Sequence, residues 1–127
     1  MQLQSFNSPA APQPAGGYSQ ALMATGARRL LFISGQVPET GDGRVPDGFA
    51  EQCRLVWANV RAQLREAGMD VDNVVKVTTY LSDRGYGGEN RAIRNEVLGD
   101  LSRALTVVVA GIFESRWLLE IEGIAAD

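Results

Sequence analysis

The 127-residue chain contains no histidine. Imidazole is the commonest general base near neutral pH and the commonest transition-metal ligand, so its absence excludes histidine-built zinc sites and Ser-His triads. Acid–base chemistry is left to carboxylates, tyrosines, Lys76, Cys53, backbone groups or bound water. Cys53 is the only cysteine, which excludes an internal disulfide and fits a reducing compartment. Basic clusters are missing too: the 12 Lys and Arg residues are almost all Arg, meet only at Arg28-Arg29, and face 15 Asp and Glu. A net charge of -3 gives no electrostatic footprint for DNA or RNA, so nucleic acid is not an expected partner. No run of apolar residues is long enough to cross a membrane, and the opening MQLQSFNSPAAPQP lacks the basic and apolar regions of a secretory signal. The expected location is the cytoplasm. Neither GxGxxG nor GKS/GKT follows a strand, and Gly41 and Gly43 sit in a turn, so no motif holds a nucleotide cofactor.

What is present is ordinary globular material, 45% apolar and 21% charged, and the length fits one domain spanning 1–127. Gln2 to Phe6 reads as a short first strand, and the Pro- and Gly-rich Asn7 to Gly17 as an extended loop. Tyr18 to Thr25 and Arg29 to Pro38 then read as two strands joined at Gly26-Ala27-Arg28, which predicts a hairpin. Ser34-Gly35 interrupts the second of these, as happens at a bulge or where another group approaches the backbone closely. Asp47 is the expected N-cap of a helix whose apolar stripe runs through Phe49, Cys53, Val56 or Trp57, Val60 and Leu64 and stops at Ala67-Gly68. Cys53 falls within that stripe, as a packed core thiol does. Val74 to Leu81 is a strand with Val75, Val77, Thr79 and Leu81 on one face and Lys76, Thr78 and Tyr80 on a wetter one. Glu89 to Leu101 is a second amphipathic helix, with Asn95 near its apolar edge.

The end of the chain holds two more strands. Leu105 to Ala110 is apolar at every position except Thr106, and Val107 to Val109 leave no polar face, which predicts cover on both faces: helices on one side, a partner chain on the other. Trp117 to Ala126 alternates, placing Glu120 and Glu122 on one face, opposite Leu119 and Ile121. The whole predicts an α+β fold with two helices on one face of a six-stranded sheet, the other face covered by self-association.

Four stretches in order, PAGGYSQAL at Pro14–Leu22, LFISGQVP at Leu31–Pro38, WANVRAQLREAGMDVDNVVKVTTYLSD at Trp57–Asp83 and AGIFESRWLLEIEGIA at Ala110–Ala125, resemble the Rid family (RidA/YjgF-like reactive-intermediate deaminases, also labelled endoribonuclease L-PSP). The resemblance covers nearly the whole chain. It implies a chorismate-mutase-like six-stranded mixed sheet in a homotrimeric barrel, with a small-molecule metabolite held in clefts between subunits. The implied reaction is hydrolysis of enamines and imines to a carbonyl product and ammonia, without metal or organic cofactor. Carried over residue by residue, Glu120 matches the glutamate that positions or activates water. Tyr18 matches the family tyrosine, Ser34-Gly35 the strand glycine motif, Thr106 the small residue of the fifth strand, and Asn95 the helix asparagine. The family's carboxylate-binding arginine falls at Ala104 or Leu105, neither of which can hold a carboxylate. Leu105 would make the cleft more apolar, and neighbouring Arg103 points to the opposite face unless a bulge restores it. Two functions follow: an imine or enamine hydrolase of altered specificity, or a non-catalytic trimeric small-molecule-binding protein. The ribonuclease label is disfavoured by the acidic charge.

Overall fold

A computed structural model describes residues 1–127. The order of elements is β1 (Gln2–Phe6), β2 (Ala21–Thr25), β3 (Leu30–Gln36), α1 (Phe49–Glu66), β4 (Val74–Leu81), α2 (Gly87–Leu98), β5 (Ala104–Val109) and β6 (Leu119–Ala126), with single 3-10 turns at Val71–Asn73 and Arg84–Tyr86. The six strands form two sheets rather than one. β1 and β2 make an antiparallel pair, and the other four lie in the order β3-β6-β4-β5. Only the β4–β5 pairing is parallel, with α2 in the crossover between them.

The predicted β2–β3 hairpin does not form. β2 pairs with β1, and β3 pairs antiparallel with β6. The reason is burial. β1 and β2 are exposed almost throughout and pair only with each other, whereas β3 inserts Ile33 into the core beside β6. Arg28 and Arg29 donate their backbone N–H groups to the carbonyl of Asp127, which fixes the start of β3 to the end of β6.

α1 lies across β3 and β6, and its stripe Phe49, Cys53, Val56, Trp57, Val60 and Leu64 is buried against Val74, Val77 and Leu81 of β4 and Leu119, Ile121 and Ala125 of β6. Alternation along β4 and β6 is as expected: the partners of this apolar face are Lys76, Thr78, Tyr80, Glu120 and Glu122 on the other. A register shift between Val74 and Lys76 buries Val74 rather than Val75. α1 begins after Gly48, not Asp47, and no side chain caps it. Gly68 at φ 72° closes it, the left-handed geometry that favours glycine at this position. α2 starts two residues earlier than the spacing predicts and stops at Leu98, because Gly99 turns to φ 57°.

Gln52 places the last strand. Buried on α1, it donates to the carbonyls of Pro46 and Arg116 at 2.8 and 3.0 Å and accepts from the N–H of Leu118 at 2.9 Å. One amide thereby fastens the β5–β6 loop to the helix, two residues before Glu120. β5, by contrast, is an edge strand. Val107, Val108 and Val109 are 45%, 40% and 46% exposed, so the cover predicted on both faces is not supplied within the chain.

Candidate functional site

Glu120 stands on the open face of β6, paired across the sheet with Tyr80 of β4. Its carboxylate lies directly over Gly35 of β3. A Cβ built on Gly35 would fall 2.7 Å from Cδ of Glu120 and closer still to Oε2. The β3–β6 register shifts between Ile33 and Gln36, so the Ser34-Gly35 bulge brings bare backbone under the carboxylate. No protein group donates to Glu120, while its neighbour Glu122 accepts the Tyr80 hydroxyl. That bond, with burial and the two nearby carboxylates, raises the Tyr80 pKa and marks Glu122 as a tethered side chain. Glu120 is therefore the carboxylate on this face free to accept from water.

Beside it, the open face forms a pocket of about 410 Å³ lined by Phe32, Ser34, Lys76, Thr78, Glu122 and Ile124. Lys76 donates to Oγ1 of Thr106 at 2.6 Å, and burial lowers the ammonium pKa while Glu122 opposes the shift. No group of three or more His, Cys, Asp or Glu side chains converges where a metal ion could sit.

Comparison with known proteins identifies the family. A family model described as Endoribonuclease L-PSP matches residues 8–127. A RutC family protein of Aquifex aeolicus is 38% identical over 123 residues, covering 94% of this chain and 94% of its own. The chain belongs to the Rid/YjgF, or endoribonuclease L-PSP, family. Its Rid relatives include a 2-iminobutanoate/2-iminopropanoate deaminase of Rattus norvegicus, 38% identical over 122 residues, 92% of this chain and 85% of that protein. Among solved structures, a member of the conserved Rid protein family from Yersinia pestis superposes with a TM-score of 0.86 at 25% identity, covering 100% of both chains.

Of the residues matched to the Rid pattern, the structure gathers three: Ser34, Gly35 and Glu120. Tyr18 and Thr106 lie at the far edge of the sheet, because β3 and β5 are separated by β6 and β4, roughly 14 Å at about 4.8 Å per strand spacing. Tyr18 sits there, half-buried. Its neighbour Ser19 donates its N–H to the carbonyl of Arg103 at 2.9 Å and pairs with Ala104 in an isolated bridge. Thr106 is at the same edge, on the open face beside Lys76.

Leu105 is not a lining residue of the open face. It pairs in register with the buried Val77 and packs against the hydrophobic core on the helix side. Ala104, opposite Lys76, is the position of the two that shares the open face. Arg103 is 8% exposed and donates to the carbonyl of Asp72 at 2.9 Å, so no bulge returns its guanidinium to that face.

Asn95 is exposed on α2, whereas Asn90 is buried with Oδ1 unpartnered. Asn90, Arg91 and Arg94 escaped the sequence reading. Their signal lay in the spacing: Asn90 and Arg94 are four apart on α2, so they continue toward its N-terminus the stripe that the apolar residues trace.

Proposed function

We propose that the chain is an imine or enamine hydrolase, releasing a carbonyl product and ammonia, with a specificity altered by Ala104 standing where the family carries its carboxylate-binding arginine. The observation that carries this reading is the packing of Glu120 over Gly35: a carboxylate without protein donors, held against bare backbone. Glu120 takes a proton from water as the water oxygen adds to the imine carbon. With the imine nitrogen protonated, this addition gives a neutral carbinolamine; Glu120 returns its proton to that nitrogen, and the carbinolamine collapses to the carbonyl compound as ammonia leaves and the hydroxyl proton passes to water. The reading also draws on the deaminase named among the relatives.

The working unit in this proposal is a homotrimer. The matched residues divide between two edges of one sheet, so Ser34, Gly35 and Glu120 of one subunit would meet Tyr18 and Thr106 of the next in a cleft between them. The chain's acidic balance and lack of histidine speak against RNA cleavage in that cleft.

The experiment is ammonia release from 2-iminobutanoate generated enzymatically in the assay, for the native chain and Glu120→Gln. Acceleration by the native chain and a loss of about 10²- to 10⁴-fold in the variant is expected for removal of a general base. Native rates equal to the uncatalysed rate would refute hydrolysis and leave a binding protein.

A further inference from the structure

Of the 12 Lys and Arg residues, all but one are arginines, and the single lysine, Lys76, stands in the pocket of the open face. The difference is chemical. Arginine keeps its charge in proteins, whereas a desolvated lysine sheds its proton and becomes a nucleophilic amine. None of the five ion pairs of the chain includes Lys76. Its hydrogen bond runs from Nζ to Oγ1 of Thr106 at 2.6 Å. A hydroxyl serves either form of the amine, accepting from the ammonium and donating to the free base, so this partner does not fix the charge as a carboxylate does. Burial lowers the Lys76 pKa, with Glu122 opposing the shift. The hydrolysis proposed above leaves this amine without a role.

The surroundings of Nζ suit an uncharged ligand. The pocket of about 410 Å³ has room for a small organic molecule. Phe32, Ile33 and Ile124 give it apolar walls, and its one charge besides Lys76 is Glu122, which accepts the Tyr80 hydroxyl. An entering carboxylate would meet that anion and find no cation other than the amine, which must be neutral to react. Ser34 in the pocket and Thr106 beside Lys76 are residues that border clefts in the trimer proposed above, so assembly leaves the amine within reach of a small solute.

We propose that Lys76 is a carbonyl-capturing amine, which takes small uncharged aldehydes from water and holds them in the open-face pocket as a reversible imine. The lone pair of the free Nζ adds to the carbonyl carbon, and a proton passes from nitrogen to the carbonyl oxygen. The carbinolamine so formed loses water as the carbon–nitrogen double bond closes. One amine and one aldehyde give one imine and one water, and addition of water in reverse restores both. No step uses Glu120, so this activity is separate from the hydrolase reading.

The test is reductive trapping of the full chain with butanal or 2-oxobutanoate in the presence of sodium cyanoborohydride at neutral pH. With one lysine, a side-chain adduct has one address, which peptide mass spectrometry separates from an adduct on the terminal amine. The butyl adduct is expected to form on Lys76 at least tenfold faster in the folded chain than in the chain unfolded in guanidinium chloride. The preference for butanal over 2-oxobutanoate is expected to be at least tenfold greater in the folded chain. Thr78→Phe, which fills the pocket from β4, is expected to lose the acceleration while keeping the native circular dichroism. Should it fail to fold, the folded-to-unfolded ratio of the native chain decides. Equal rates in the folded and unfolded chains, no gain in preference for butanal, or undiminished acceleration in a folded Thr78→Phe would overturn the proposal. Ammonia release without capture refutes the capture and leaves the hydrolase, and capture without ammonia release does the reverse.

Discussion

Gly35 is the residue whose replacement best separates chemistry from folding. An alanine there must displace Glu120, but the displaced atoms are the end of a flexible side chain rather than backbone. Gly35→Ala is expected to keep the cooperative unfolding of the native chain, with its midpoint shifted by only a few degrees, while ammonia release falls at least tenfold as the carboxylate is pushed off its water. Thermal unfolding and the ammonia assay on the same preparation check this. A loss of activity accompanied by collapse of the unfolding transition would make Gly35 a folding residue instead. The interruption at Ser34-Gly35 was legible in the sequence as a bulge or a close approach, and it is both. That Glu120 is the approaching group was not, since the two residues are 85 positions apart and meet only through the β3–β6 pairing.

α1 binds its sheet through an apolar stripe read directly from 3.6-residue spacing, and Cys53 sits fully within it. Burial pushes the Cys53 thiol from its ordinary 9.0 up to about 12. Between those values the unfolded chain loses the thiol proton and the folded chain keeps it, so this residue's contribution to stability falls as pH rises above 9. Cys53→Ala begins less stable because of the cavity it leaves. The gap between native and variant is expected to narrow by about 1 kcal/mol from pH 8 to pH 10, measured by urea unfolding at each. A constant gap would show that the thiol ionises normally in the fold. The element that departs from its sequence pattern is β5, whose apolar run predicts double cover and whose edge position leaves it uncovered within one chain.

Under the proposed function, assembly is the outcome expected of that exposed edge. Phe32 is 71% exposed, Leu30 59% and Val107 to Val109 40% or more, so both edge strands of the sheet present apolar side chains of the kind that mark interaction sites. Light scattering is expected to return three times the chain mass at micromolar concentration. Val108→Lys, which sets a charge on the open face of β5, should shift it to the mass of one chain and abolish ammonia release with Glu120 intact. A native monomer that still releases ammonia would show that one sheet suffices and that Tyr18 and Thr106 play no part. No helix of the chain is long and apolar enough to cross a membrane.

The sequence by itself determined the local features: both helices and all six strands, the faces of β4 and β6, the core placement of Cys53, and family membership through motifs that survive in order. These depend on periodicity and short-range chemistry, which one dimension records. Strand partnership was decided only in the tertiary structure, because β3 gains a core by pairing with β6 and gains none with β2. So were the burial of Arg103 and the removal of Leu105 to the helix side, both set by the register of β5 on β4. The surroundings of Lys76 likewise became visible only once the fold set Thr106 beside its amine, since partners are chosen by distance in space and not by distance along the chain.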